Sequence, residues 1–322
     1  MPSHSAVKTG TATPRQLIAA AARRFRAARL AYGHGTLNAD DEAAWLMVHA
    51  MRRPFEELAA LLDRPVTAAV MSRANDLFER RIRERIPAAY LTREAWLGNY
   101  RFHVDPRVIV PRSYIAELLR VRLQPWLLPR RQPRSILDLC TGSGCLATVA
   151  AHTFPGAVVD AVDLSPAALA VAKCNVREHR MTERVRLLRS DLFAGLHGRR
   201  YDLILTNPPY VRESVMRTLP AEYRHEPVLA LHGGNDGLDL VRTILDEAPD
   251  HLNPQGWLVL EVGHNRPRLE RAFPALPFIW AETSGGDDCV ALLQRESLLP
   301  LPTAPARKPR PAAARRRQVR VR

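Results

Sequence analysis

Residues 135–145 read Ser-Ile-Leu-Asp-Leu-Cys-Thr-Gly-Ser-Gly-Cys. A short apolar run (Ser135–Cys140) reaches a turn rich in small residues, and Ser143–His152 follows with helix-forming residues. That order spells strand, tight turn, helix. The pattern repeats downstream. Ala157–Leu164 reads as a second strand, and Ser165 with Pro166 opens a helix running to about His179. Val185–Ser190, Tyr201–Thr206 and Gly256–Val262 are further strands, with helices over Gly237–Ala248 and Arg266–Phe273. Phe278–Thr283 and Asp288–Gln294 close the series as two strands. Repeated β-α units predict an α/β domain over residues 135–297: a mostly parallel, seven-stranded, Rossmann-like sheet with helices on both faces.

Upstream the period changes. From Pro14 to about Leu91, apolar residues recur at three and four spacing, as in Asp41–Met51 and Val66–Ile86. Asp40 or Asp41 can cap the first of these helices, and Pro54 and Pro87 interrupt. A small all-helical domain is expected over 14–96. Gly98–Arg112 alternates apolar and polar residues around Asp105-Pro106, a hairpin signal. It opens a linker of hairpin and helix over 97–134. Residues 1–13 and the basic stretch 298–322 lack periodicity and are expected to be disordered.

The chain has 322 residues, of which 46% are hydrophobic, enough for a full core. Cys140, Cys145, Cys174 and Cys289 show no paired C-x-x-C spacing, which argues against a zinc site or a disulfide framework. No stretch approaches the roughly 20 apolar residues of a membrane span, nor is there a signal-peptide pattern. A cytoplasmic protein without a membrane partner is expected. The net charge of +14 suggests an anionic partner. Eight of the positive charges lie in residues 307–322, which hold no acidic residue. That tail is a candidate contact for ribosomal RNA or a ribosomal precursor.

Ligands of open α/β sheets bind beyond the carboxyl ends of the strands, and the unusual residues gather there. Gly142 and Gly144, with Thr141 and Ser143, form a turn that a ligand can approach closely. The helix behind it offers N–H groups to a carboxylate. Asp138 can accept from an amino group, and Asp163, ending the second strand, from ribose hydroxyls. Asp191 and Leu192 end the third strand, where a carboxylate can take an adenine amino group and an apolar side chain can cover the ring. A nicotinamide cofactor would fit the Asp163 spacing too, but Cys140 stands where the first glycine of G-x-G-x-x-G would be. The set favours S-adenosylmethionine, with S-adenosylhomocysteine as product and no metal.

The fourth strand ends in Asn207-Pro208-Pro209-Tyr210. Two prolines cannot continue a central strand, so they fix a rigid loop at its end. The Asn207 side-chain oxygen and the Pro208 carbonyl can accept the two N–H groups of a planar NH2. Tyr210 offers a flat face, Pro209 locks the carbonyl, and Asn207 also neighbours the cofactor. Two acceptors on one nitrogen orient its lone pair and offset the positive charge that builds up as it attacks a methyl.

Together the DxxTGSG loop, Asp163 and NPPY resemble the class I methyltransferases of planar nitrogens, and most closely the HemK-type glutamine N-methyltransferases. The resemblance runs over most of residues 15–297. Arg85–Leu91 (RIPAAYL), Glu94–Trp96 (EAW), Val110–Ser113 (VPRS), Ile115–Glu117 (IAE), DLCTGSGC and Tyr223–Pro227 (YRHEP) resemble the branch that acts on a large-subunit ribosomal protein. The resemblance implies a substrate glutamine in ribosomal protein L-three and a substrate-recognition role for the helical domain. It also implies cofactor contacts at Cys140–Gly144, Asp163, Leu192 and Asn207. Tyr114 departs from the pattern, where proline is usual, and so does the arginine-rich tail. A structural role is expected for His225–Pro227 and Gly233–Gly237. Two alternatives stay open: an amino-methyltransferase of DNA or RNA bases, which presents the same planar NH2, and a binding module that has lost catalysis.

Overall fold

A computed structural model describes residues 12–299 other than 129 and 131. The segments expected to be disordered, 1–13 and 298–322, lie largely outside these residues. Thr13 is described, and it caps the first helix. It accepts from the Gln16 N–H while Gln16 Oε1 accepts from the Thr13 N–H at 3.0 Å. At the other end Leu298 is fully buried, so packed structure continues past Arg295.

Among the described residues five α-helices and a short 3-10 turn (Phe55–Glu57) form the N-terminal unit: α1 Pro14–Ala27, α2 Ala39–Met51, α3 Leu58–Leu61, α4 Ala68–Arg83 and α5 Ala88–Thr92. The cap of α2 is Asn38 rather than Asp40 or Asp41. Its side-chain oxygen accepts from the backbone N–H of both, leaving the two aspartates in the first turn near the positive helix end. Phe25, Leu46, Met47 and Phe78 are buried where α1, α2 and α4 meet, with Phe25 and Phe78 edge to face at 5.8 Å. Each such burial contributes about 1.5–3 kcal/mol.

The hairpin lies earlier than expected. Its strands are β1 Glu94–Leu97 and β2 Tyr100–His103, and the turn is Gly98-Asn99, with Gly98 at φ +60°. Asp105-Pro106 makes a separate turn. Its carboxylate accepts from the Arg107 backbone and guanidinium, a local bond that competes with strand pairing. Helix α6 (Ile115–Arg120) follows.

The main sheet comprises β3 Ser135–Leu139, β4 Val158–Asp163, β5 Val185–Arg189, β6 Tyr201–Thr206, β7 Leu252–Glu261, β8 Ile279–Thr283 and β9 Gly286–Gln294. Its order is β5-β4-β3-β6-β7-β9-β8, parallel except for β9, which runs antiparallel to both neighbours. Helices α7 Cys145–Thr153, α8 Pro166–Glu178, α9 Glu213–Met216, α10 Asp239–His251 and α11 Arg266–Ala272 lie between the strands. Successive strand side chains point to opposite faces, so two cores form. Ile136, Val159 and Leu203 pack with α6 and α7 on one side. Leu137, Val162 and Ile204 pack with α10 and α11 on the other. The chain reverses its direction of travel across the sheet at β3, between β4 and β6. That switch point leaves a crevice beyond the strand ends.

Candidate active site

A cleft occupies the crevice. Cys140, Gly142, Asp163, Asp191, Leu192, Asn207 and Pro209 line it, so residues from four strand ends meet on one surface. Residues 107–109 and Pro227, Leu229 and Ala230 add to its walls.

The loops after β3 and β5 adopt left-handed backbone where they line this cleft. Cys140 sits at φ +58°, Leu192 at φ +43° and Gly142 at φ +55°. A left-handed backbone costs a non-glycine residue roughly 1–2 kcal/mol. Cys140 carries that cost, which a glycine at the same position would not. A Cβ at Gly142 would meet nothing, so this glycine opens onto free space. Gly144 serves a different purpose than close approach to a ligand. A Cβ there would stand 3.0 Å from the Ala172 Cβ, so it lets the loop pack on α8.

Asp138 is fully buried, outside the cleft lining. Its Oδ2 accepts from the Thr141 hydroxyl and from the Ala147 N–H at 2.9 Å, while Oδ1 finds no partner among the described residues. It therefore shapes the loop and occupies one N–H of the α7 terminus that sequence reasoning had left for a ligand. Burial pushes its carboxyl up to about 7. Ser143 is likewise held from behind, by Asn175 on α8, which donates to its carbonyl at 2.8 Å. Asn175 also exchanges bonds with His103 of β2, so one side chain ties the hairpin to the cofactor loop.

Asp163 does face the cleft. Its two oxygens accept from the Gly142 N–H at 2.8 Å and the Ser165 N–H at 2.9 Å. Each oxygen keeps a second lone pair for hydroxyls. Burial raises its pKa, against the pull of these backbone donors.

Asn207 and Pro209 reach the cleft, while Pro208 is buried and Tyr210 sits to one side. The loop rests on glycines. A Cβ at Gly233 would meet the Pro209 carbonyl oxygen at 2.6 Å and the Tyr210 Cα at 2.7 Å; at Gly237 it would meet the Tyr210 carbonyl oxygen at 2.4 Å. Gly263 lies under the Tyr210 ring, where a Cβ would meet Cε2 at 2.7 Å. Asn265 donates to the Tyr210 carbonyl at 3.0 Å. Burial raises the Tyr210 phenol, and nearby Glu261 adds to the shift. His225 is held by the helical domain, its Nε2 2.8 Å from the Glu84 carbonyl oxygen.

Sequence reasoning missed Asn175, Asn265 and Glu261. Glu261 ends β7 and is fully buried, its carboxyl pushed up to about 7 by burial. A carboxylate closing an apolar strand was the available signal. His264, Asp288 and Cys289 also come together, with donor atoms within 4.8 Å of one another. His264 Nδ1 and Asp288 Oδ2 are 3.1 Å apart, an ion-pair geometry.

Comparison with known proteins adds a likeness across both units. Residues 16–92 match the family model described as the PrmC N-terminal domain, and residues 123–222 match the methyltransferase small domain. The chain is 52% identical over 287 residues to the ribosomal protein uL3 glutamine methyltransferase of Neisseria meningitidis serogroup A, covering 89% of this chain and 94% of that one. It is 53% identical over 286 residues to the protein of that name from Bordetella pertussis, covering 89% and 96%. With the Burkholderia pseudomallei protein of that name the identity is 49% over 293 residues, covering 89% and 95%.

Proposed function

The chain belongs to the ribosomal protein uL3 glutamine methyltransferases, and on that premise we propose how its own residues transfer a methyl from S-adenosylmethionine to a glutamine side-chain amide of uL3. The observation that carries the proposal is the single cleft shared by Cys140, Gly142, Asp163, Leu192, Asn207 and Pro209.

The cleft fits the cofactor. Gly142 opens it, Asp163 retains lone pairs for ribose hydroxyls, and Leu192 lies beside Asp191 for an adenine ring and its amino group. Asp138, Thr141, Ser143 and Gly144 support that loop from behind. S-adenosylmethionine supplies, when bound, an electrophilic methyl on sulfur. An amide nitrogen is a poor nucleophile because its lone pair is shared with the carbonyl. The Asn207 side-chain oxygen accepts one of its N–H groups and the Pro208 carbonyl the other. This raises electron density on nitrogen and holds the lone pair on one line. Preorganised acceptors also stabilise the charge that nitrogen gains. Tyr210 packs against the flat amide. The surplus proton is strongly acidic on nitrogen after transfer and passes to water, so the residues present need no strong base.

The chain acts in the cytoplasm in this reading. The arginine-rich stretch 307–322 lies outside the described residues; its charge suits ribosomal RNA next to the substrate protein.

The test is to incubate the purified enzyme with labelled S-adenosylmethionine and purified large-subunit proteins. One added methyl on a uL3 glutamine, found by mass spectrometry, is the expected outcome. Label on ribosomal RNA or DNA with uL3 unchanged would reject the glutamine reading in favour of a base amino-methyltransferase.

A further inference from the structure

Gly263 lies under the Tyr210 ring, and two residues before it Glu261 grips a strap of chain. The strap is Val110–Tyr114, which joins the hairpin region to α6. Two buried carboxylates hold its two halves. Glu226 takes the first half. Its Oε1 accepts from the Val110 N–H at 3.0 Å, and the Arg112 guanidinium bonds both its oxygens, with Nη2 to Oε2 at 2.7 Å. Glu261 takes the second half, its Oε2 accepting from the Ser113 hydroxyl at 2.6 Å and the Tyr114 N–H at 2.9 Å. Burial raises the Tyr210 phenol most, Glu261 raises it further and Arg112 opposes the shift.

Glu226 also looks away from the strap. His34 of the helical domain places Nε2 3.6 Å from its Oε2, beyond hydrogen-bond reach but within ion-pair range. Four residues earlier, Glu222 accepts from Arg81 and from the Ala31 N–H, both at 3.1 Å. Arg81 is itself buried and bonded to Glu42. The residues after Glu226 wall the cleft through Pro227, Leu229 and Ala230. The segment thus runs from the helical domain to the cleft, with Glu226 at the point where the strap joins it.

We propose that Glu226 is a positioning residue for methyl transfer: its two-pronged pair with Arg112 fixes the strap against Tyr210 and so sets the surface offered to the target amide. This rests on the glutamine reading of the site. A planar guanidinium bonded on two prongs is fixed in direction as well as distance. A glutamine at 226 keeps the volume but offers one acceptor oxygen, so Arg112 loses one prong and its counter-charge.

Steady-state kinetics on intact uL3 test this with E226Q, E226D, R112Q and the double variant E226Q/R112Q. Small misplacements at a reaction centre are expensive, so E226Q should lower kcat roughly 10–100-fold. The Kd for S-adenosylmethionine, measured by calorimetry, should change less than about threefold, the scatter expected when direct contacts are untouched. The double variant should be no slower than the slower single variant, because one residue acts through the other. E226D should restore part of the rate. Wild-type kcat in E226Q, or single losses that multiply in the double variant, would overturn the proposal. If E226Q fails to fold, R112Q carries the same expectation, since the Arg112 side chain is partly exposed. A wild-type enzyme that leaves uL3 unlabelled would fail the substrate assignment instead, and the variants are then compared on the substrate it labels.

Discussion

The Thr206 hydroxyl donates to the Leu139 carbonyl at 3.1 Å, joining the root of the reaction loop to the root of the cofactor loop across 67 residues of sequence. Both residues are fully buried and sit opposite one another where β3 pairs with β6. The bond fixes the distance between the two halves of the cleft. Thr206→Val keeps the shape and removes the donor. Loss of one such bond should lower stability by about 1 kcal/mol. Turnover should fall several-fold more than that loss of folded protein explains. Denaturant unfolding and single-turnover rates on uL3 separate the two effects.

Asn207→Ala removes an acceptor that faces the cleft and supports no core. It should leave the melting temperature nearly unchanged. Turnover should fall by roughly 10²–10³, as for other losses of a preorganised transition-state contact. Binding of S-adenosylmethionine by calorimetry should persist. Near-normal turnover would remove the acceptor role.

Two glycines should respond differently to alanine. At Gly233 the new Cβ would stand 2.6 Å from the Pro209 carbonyl oxygen, so the reaction loop must move. Gly233→Ala should therefore cut kcat strongly. At Gly142 the space is open but φ is +55°. Gly142→Ala should cost about 1–2 kcal/mol of stability from backbone strain. Paired melting curves and kcat values for the two variants check the contrast.

The pH dependence of stability should carry two opposing signatures. Glu261 rises from its ordinary 4.5 to about 7, and Asp138 from 3.8 to about 7, both chiefly by burial. Between these limits the folded chain holds more protons than the unfolded one, so their contribution to stability is lost as pH rises through that window. Glu226 goes the other way. Burial alone would raise it, but His34 and Arg112 outweigh that and hold it at about 2. Its contribution is present above 4.5 and lost as pH falls towards 2. Glu261→Gln should flatten the decline between pH 4.5 and 7 in thermal melts, and an unchanged slope would rule out its titration there.

Deleting residues 307–322 removes eight positive charges. If they meet ribosomal RNA, affinity for ribosomal precursors should fall and its salt dependence should become shallower. Binding measured at several salt concentrations decides it, and an unchanged slope would leave the tail without that role.

Much of the site could be read in sequence because strand ends and turns are local. The succession of strands along the chain and the positions of Asp138, Gly142, Asp163 and Asn207–Tyr210 follow from period, apolar runs and turn residues within about ten positions of each. The hairpin's place is ambiguous in sequence for a local reason too: Asp105-Pro106 and Gly98-Asn99 are both turn signals, and only the pairing shows which one closes strands. What period and turn signals could not supply was the use of each residue. Asp138 and Gly144 carry motif positions yet serve the loop's interior, while Asn175 ties Ser143 to the hairpin, Asn265 bonds the Tyr210 carbonyl, and Glu226 and Glu261 bond the strap, all from distant segments. Short stretches carry the fold class and the reaction class, because strand, turn and helix signals and the motif residues are local. Only the tertiary structure decided which buried carboxylates grip the strap beside Tyr210. Their partners lie 114 and 148 residues away, and such pairing exists only once burial has removed water as the competing partner.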